Sequence, residues 1–292
     1  MRVARPFYRR PFFWAVAAPP LLATLVCFVA PLLLLFYVSF MAPSSTQLFS
    51  HHATLANYVQ SLSDRYMLLL IRRTLGVTAA VLGVCLLLGY PVALVLARMQ
   101  PRRRLVTMMV LLFPLMISNV VRAYGWLEIL GRNGVVNLVL VKLGWIRVPL
   151  RIVDSFEAVV IALLTILLPY MIISIANSLT AIDASLHEAA ESLGANPWRA
   201  FWQVTWPLSS PGVASGMMLV FFLTLSAYVT IALLGGVQYK LLVSAVFDAV
   251  STLQWPQAAA LSFILLALAL AAGAVIQLLL RPHRVQGKGR AQ

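Results

Sequence analysis

The chain reads as an all-α membrane protein of six transmembrane helices with both termini cytoplasmic, and three observations carry that reading. Hydrophobic residues make up 62% of its 292 positions and charged residues only 10%, against roughly a quarter charged in soluble domains. The apolar residues gather into runs of about 20, the length that crosses a bilayer core. The 22 Lys and Arg outnumber the 8 Asp and Glu, and they fall mostly between or beside those runs. A water-facing surface cannot be built from so few charges, so most of the outer surface meets lipid. In a soluble protein a net charge of +14 would point to nucleic acid. Here the basic residues orient the chain against an anionic inner leaflet instead, and nucleic acid is set aside as a partner.

Six spans are expected, over 12–41, 74–97, 105–127, 156–177, 212–234 and 258–280. The apolar run after Arg9-Arg10 is too long for a signal-peptide core and lacks a cleavage pattern, so it is read as a retained first span. Pro31, Pro91, Pro114 and Pro169 interrupt spans and read as ordinary kinks, tolerable where neighbouring helices satisfy the freed carbonyls. If both ends are inside, the inner segments 1–11, 98–104, 178–211 and 281–292 hold 13 of the 22 basic residues. Short basic segments decide orientation, and they place both ends in the cytoplasm. The chain then divides into a basic tail (1–11), a six-helix domain (12–280) with a cytoplasmic loop at 178–208, and a second basic tail (281–292).

Between spans, residues 42–72 read as an outer polar cap of short helix and loop. Residues 128–155 mix Val135, Val136, Leu138, Val139 and Leu140 with Lys142, Arg147 and Arg151. That segment is too short and too charged to span, and is expected to be an interfacial or re-entrant helix. His51-His52 has no third ligand nearby and reads as solvated loop. Cys27 and Cys85 each sit in an apolar run and frame no disulfide or metal site. No phosphate loop, HExxH, GxSxG or paired-Cys motif occurs. No catalytic residue, metal ligand or cofactor is therefore assigned.

The longest inner segment carries the most information. Ile182, Leu186, Ala189 and Leu193 recur at helical spacing opposite Asp183, His187, Glu188 and Glu191. Gly194 supplies a stop that can take positive φ. Asn196-Pro197 is a start signal, a capping residue followed by the ring at the first helical position. A second, shorter helix then presents Trp198, Phe201, Trp202 and Thr205 on one face, with Pro207 returning the chain to the fifth span. From pattern alone this is either a knob that docks in a partner's cleft or an aromatic belt lying on the headgroups.

Glu188-Ala189-Ala190, three residues, Gly194, nine residues, then Val204-Thr205-Trp206-Pro207 resembles the EAA loop of ABC-importer permeases, the membrane subunits of binding-protein-dependent transport systems. That pattern ends Ile-x-Leu-Pro in the family, so Val204 and Trp206 are apolar-for-apolar changes. Val121-Arg-Ala-Tyr-Gly-Trp126 with Leu130-Gly-Arg-Asn-Gly-Val-Val-Asn137 is similar to the spermidine/putrescine-type branch. Asn57-Tyr58 and Gly89-Tyr90-Pro91 fit the same branch, whereas Thr230-Ile231-Ala232 and Gln257 depart from it. The resemblance implies a type I importer permease in a bacterial inner membrane, carrying a small solute of the polyamine class. It also implies a second permease, two cytoplasmic ABC ATPases and a periplasmic or lipid-anchored substrate-binding protein. Glu188, Ala189, Ala190, Gly194, Trp198, Phe201, Trp202 and Pro207 would then couple to the ATPase.

An ion-coupled secondary transporter is the alternative. It would want acids or histidines within the spans, and the span interiors hold no central acid. The polar groups available for a substrate path are Asn119, Arg122, Tyr124 and Glu128 in the third span and Ser226, Tyr228 and Thr230 in the fifth. Arg122 lies near the outer end, where snorkelling or a pair with Glu128 would accommodate its charge. Gly212 and Gly216 form a GxxxG step that permits close helix approach.

Overall fold

The computed structural model describes residues 11–44 and 49–279. The basic tails that entered the orientation argument, Leu280 at the end of the sixth span, and residues 45–48 of the outer cap lie outside them. The described chain opens with α1 (Pro11–Ser39), a short antiparallel hairpin of β1 (Met41–Ala42) and β2 (Ser50–Ala53), and α2 (Ala56–Ser63). Next come α3 (Arg65–Arg98), α4 (Pro101–Leu112) ending in a 3-10 turn (Phe113–Met116), α5 (Asn119–Leu130) and α6 (Val135–Lys142). They are followed by α7 (Phe156–Thr180), α8 (Ala184–Ser192), α9 (Pro197–Ala200), a π-helical turn (Phe201–Thr205) and α10 (Trp206–Leu225). α11 (Tyr228–Leu234), α12 (Leu242–Ser251) and α13 (Trp255–Leu279) complete the fold.

Five of these segments are long and apolar enough to span by themselves, and a bent pair, Pro101–Met116 with Asn119–Lys142 at 87°, makes a sixth when counted as one crossing. Counted in that way the crossings agree with the sequence in number, and they differ in shape. The second begins at Arg65 rather than 74, because 65–72 extends α3 instead of joining the outer cap. The cap itself contains the β-hairpin, which the polar composition of 42–72 did not suggest. The sixth begins at Trp255, one turn early.

The third crossing is not the continuous helix expected over 105–127. Pro114 lacks an N–H and restricts its predecessor, and Ile117 and Ser118 are extended, with ψ of 135° and 137°. Pro31, Pro91 and Pro169, by contrast, sit inside helices that run on through them. The fifth crossing is also redrawn. It runs unbroken from Pro197 to Leu225, and residues 228–234 form the separate α11 after a break at Ser226-Ala227. Pro207 therefore lies within a helix rather than at a return. Its missing donor and bulky ring disturb the preceding turn, which widens so that the Trp206 N–H bonds the Phe201 carbonyl.

The chain forms two compact units. The first joins the residues up to Asp64 with Val246–Ile264. In it the Asn57 amide donates to the Ser39 and Met41 carbonyls at 3.0 and 2.9 Å, and Tyr58 Oη donates to Ser39 Oγ at 2.8 Å. These bonds hold the end of α1, where Phe36 also meets Phe40 and Phe263 edge-on. Most of the apolar surface of α1 is exposed, as suits a helix that faces lipid.

The second unit comprises Arg65–Ala245 and the chain from Leu265 onward. α7 is its axle, packed along both α3 and α10. It is apolar on nearly every side, and Leu163, Leu167, Met171, Ile172 and Ile175 are fully buried among Val77, Val81 and Cys85 of α3 and Val220 and Phe221 of α10. Thr74 Oγ1 on α3 accepts the Leu242 N–H at 2.9 Å and so seats the start of α12.

The GxxxG step sits in the α7–α10 contact. A Cβ on Gly212 would overlap Ser178 Cβ and lie 2.9 Å from the Ser174 carbonyl oxygen. A Cβ on Gly216 would lie 2.9 Å from Met171 Sδ. Ser174 and Ser215 share a 2.8 Å hydrogen bond across the same seam. Gly212→Leu should overpack this contact and destabilise the chain by about 1–3 kcal/mol. Gly83→Leu on α3, where a Cβ meets nothing within 4 Å, should be neutral. Thermal unfolding of both variants in detergent checks this, and equal melting temperatures would refute the close contact.

Candidate coupling loop and translocation path

The 178–208 loop folds as two helices around a glycine. Asp183 caps α8 by accepting the Ser185 N–H at 2.9 Å, and that bond holds its carboxyl below the ordinary aspartate range. Gly194 takes φ +78°, a conformation that a side chain disfavours. Its N–H and that of Ala195 bond the Glu191 and Ala190 carbonyls, closing the end of α8. Asn196 Oδ1 then accepts the Arg199 N–H at 2.8 Å, capping the helix that Pro197 opens. Stop, cap and start fall where the sequence places them. Glu188 and Ala189 are exposed and Ala190 half-buried.

The aromatic face is a connected cluster rather than a uniform blade. Trp198 and Trp202 are 69% and 47% exposed, and their rings meet at 5.8 Å. Phe201 turns the other way, half-buried against Tyr90 of α3 at 5.7 Å and Trp206 at 6.5 Å. Tyr90 also packs on Trp206 at 5.3 Å, and its hydroxyl shares a hydrogen bond with Ser209 Oγ at 2.8 Å. Burial raises the cost of leaving such a hydroxyl unpaired, so this bond ties α3 to the start of α10 just past the loop. Tyr90, Trp206 and Ser209 were not among the expected site residues. The signal was present, since Tyr90 and Trp206 both stood in the quoted motifs, but neither spacing nor composition indicates that they touch.

At the other end of α10, α11 packs against α5. This brings Tyr228 and Thr230 to the element that carries Asn119, Arg122, Tyr124 and Glu128. Ser226 sits exposed at the break between α10 and α11, with its hydroxyl donating to the Leu223 carbonyl. Thr230 is buried, Tyr228 half-buried, and Asn119, Tyr124 and Glu128 exposed. Arg122 neither pairs with Glu128 nor snorkels free. Its Nη2 donates to the Pro114 and Ile117 carbonyls at 2.6 and 2.8 Å, beside the break in the third crossing, where the Pro114 carbonyl also accepts the Ile117 N–H at 3.2 Å. The break fixed the position of the charge, which the sequence could not show. Nε and Nη1 are buried without a hydrogen-bond partner.

A multi-span helical body with a helix–glycine–helix knob and one broken span defines a class: a non-enzymatic, multi-pass membrane transport subunit. The family model for the binding-protein-dependent transport system inner membrane component matches residues 89–283, and the chain belongs to that family. It is a permease subunit of an ABC importer of the bacterial inner membrane, working with a periplasmic binding protein.

Among its relatives is the spermidine/putrescine transport system permease protein PotB of Escherichia coli, 32% identical over 82% of this chain and 88% of that one. PotB of Haemophilus influenzae is 29% identical over 86% and 88%. The molybdenum transport system permease protein ModB of Mycobacterium tuberculosis is 37% identical over only 51% and 55%. In fold, the chain matches a subunit in the crystal structure of a bacterial ABC transporter that imports the acidic polysaccharide alginate. The TM-score is 0.74 at 18% identity, over 94% of this chain and 96% of that one.

The bonds of Arg122 lead to a prediction. Arg122→Met should leave the chain inserted but remove both bonds to the broken helix end, a loss of about 2 kcal/mol. The effect should appear as faster amide exchange confined to 117–124. Unchanged protection there would show that the guanidinium does not hold the break.

Proposed function

We propose that this permease carries a polyamine and that its 178–208 loop couples transport to ATP hydrolysis in a separate subunit. One observation carries the substrate reading: near full-length similarity to spermidine/putrescine permeases. The polar end of the bundle is chemically compatible with it. A polyamine is an extended polycation, and it would find the exposed Glu128 carboxylate together with the ring faces of Tyr124 and Tyr228. Arg122 would repel it less than a free cation would, because its guanidinium is bonded to two carbonyl dipoles.

The coupling reading rests on shape and exposure. Trp198 and Trp202 form the outward half of the aromatic cluster, as the hot spot of a docking interface would. Glu188 on α8 offers a carboxylate to a basic group at the rim of an ATPase groove. Phe201, Trp206 and Tyr90 form the inward half, so a push on the tryptophans bears on α3 and α10 at once. The unbroken helix from Pro197 to Leu225 has 29 residues and is about 43 Å long at 1.5 Å per residue. It joins the knob to the break beside Ser226, and its tilting would move the path residues on α11. In this assembly a second permease completes the path, two ABC ATPases dock from the cytoplasm, and both termini of the chain lie inside. The basic 98–104 loop and the tails support that orientation.

Three outcomes are expected. Cells carrying the whole system should take up labelled putrescine or spermidine, with unlabelled polyamine competing and molybdate not competing; competition by molybdate alone would overturn the substrate reading. Glu188→Lys and Trp198→Asp should leave the chain inserted while ATPase co-purification and uptake fall at least tenfold, since an unpaired buried charge at a docking site costs several kcal/mol, by order of magnitude. Full association and uptake in both variants would exclude this loop as the coupling element. A cysteine placed at 100 should resist an impermeant thiol reagent in intact cells, and labelling from outside would reverse the topology.

A further inference from the structure

We propose that the cavity between Arg132 and Arg151 binds the phosphodiester headgroup of an anionic phospholipid. This inference needs the chain to lie in a membrane and is independent of the polyamine reading. The cavity has a volume of about 310 Å³ and is lined by Arg132, Arg151, Ile152, Val153 and Asp154. It is built on a stapled platform. The buried Asn137 amide donates to the Gly131 and Leu150 carbonyls at 3.0 and 2.9 Å, and its Oδ1 accepts the Leu150 N–H at 2.8 Å. One side chain thus holds both strands of the chain that flank the cavity.

The charges are incompletely matched. Asp154 Oδ2 accepts from Arg151 Nη2 at 3.0 Å, and its own N–H donates to the Leu234 carbonyl at 2.8 Å. Asp154 is therefore fixed beside Arg151 and neutralises one guanidinium of two. Arg132 has no hydrogen-bond or ion-pair partner among the described residues. The lining keeps a positive charge on a planar group suited to bidentate contact with phosphate oxygens.

The surroundings select lipid over other anions. α7 begins at Phe156, two residues past the cavity, so the site lies at the end of a span where headgroups sit. In the chain leading into it, Trp145 is 76% exposed and Val148 67%, with Leu143 and Leu150 also uncovered and Arg147 among them. Tryptophan and aliphatic side chains interleaved with basic ones match the interfacial layer. An acyl chain would run along this apolar skirt while its phosphate reaches the guanidinium groups. A carboxylate on a delivery protein could also satisfy the charge, but it has no use for the skirt.

Native mass spectrometry of the detergent-solubilised full chain tests the proposal, with palmitoyl-oleoyl phosphatidylglycerol and phosphatidylcholine as probes. The glycerol lipid should be retained at one site in preference to the choline lipid. Arg132→Gln should cut that preference about fivefold, the weight of one basic side chain at an anionic surface, without lowering the melting temperature. Arg132→Lys should keep most of it, and Lys142→Gln on the neighbouring helix should leave it intact. Three results would overturn the proposal. The preference could survive Arg132→Gln. It could fall equally in Lys142→Gln, which would make it a diffuse property of the basic face. Or millimolar inorganic phosphate could displace the lipid fully, which would make this a site for a free anion. Loss of binding-protein association in Arg132→Gln with lipid retention unchanged would assign the site to a protein carboxylate instead.

Discussion

The close approach of α10 to α7 is the contact on which the other arrangements depend. Between lipid-bathed helices the hydrophobic effect supplies little attraction, so association rests on packing and on a few polar bonds. Gly212 and Gly216 let the two backbones draw together over Ser174 and Ser178, and Ser174 bonds Ser215 across the seam. α7 in turn packs along α3. With these three helices fixed, Tyr90 reaches Ser209 at one end and α11 comes to rest on α5 at the other. A looser seam would separate both groups.

Prolines produce two opposite results in the same molecule, and the difference lies in who satisfies the freed backbone. Inside a bilayer an unpaired carbonyl is costly. At Pro207 the helix absorbs the disturbance by widening one turn, and Trp206 recovers a bond to Phe201. At Pro114 the chain breaks and turns by 87°, and Arg122 caps the opened end. The first solution keeps a continuous rod from the aromatic knob to Leu225. The second creates a half-helix that starts at the exposed Asn119. In the proposed mechanism the stiff element would carry displacement and the interrupted one would expose polar groups at depth.

Much of this was legible from residues alone. Apolar runs gave the number of crossings, because the bilayer thickness sets a length that chance composition seldom meets. The Gly194 stop, the Asn196 cap and Pro197 at the helix start were readable because each is a local backbone requirement met within three or four residues. The family pattern from Glu188 to Pro207 was readable for the same reason. The ends of the second and fifth crossings were not, since amphipathic and polar turns at helix ends carry no apolar signal although hydrogen bonding extends through them. The hairpin at Met41–Ala53 was missed because its pairing joins residues separated by a polar loop.

The sequence by itself determined that this chain crosses a membrane several times, has no phosphate loop for ATP, and presents an aromatic helix–glycine–helix knob after its fourth crossing. Those properties follow from composition and short-range spacing. Tertiary structure alone decided which aromatics face outward and which anchor the knob. It also decided that Arg122 serves a broken helix end rather than Glu128, and that Arg132 and Arg151 border one cavity. Such outcomes depend on distances between residues far apart in the chain or across a bend. They are set by how helices pack, and periodicity within a single helix carries no record of its neighbour.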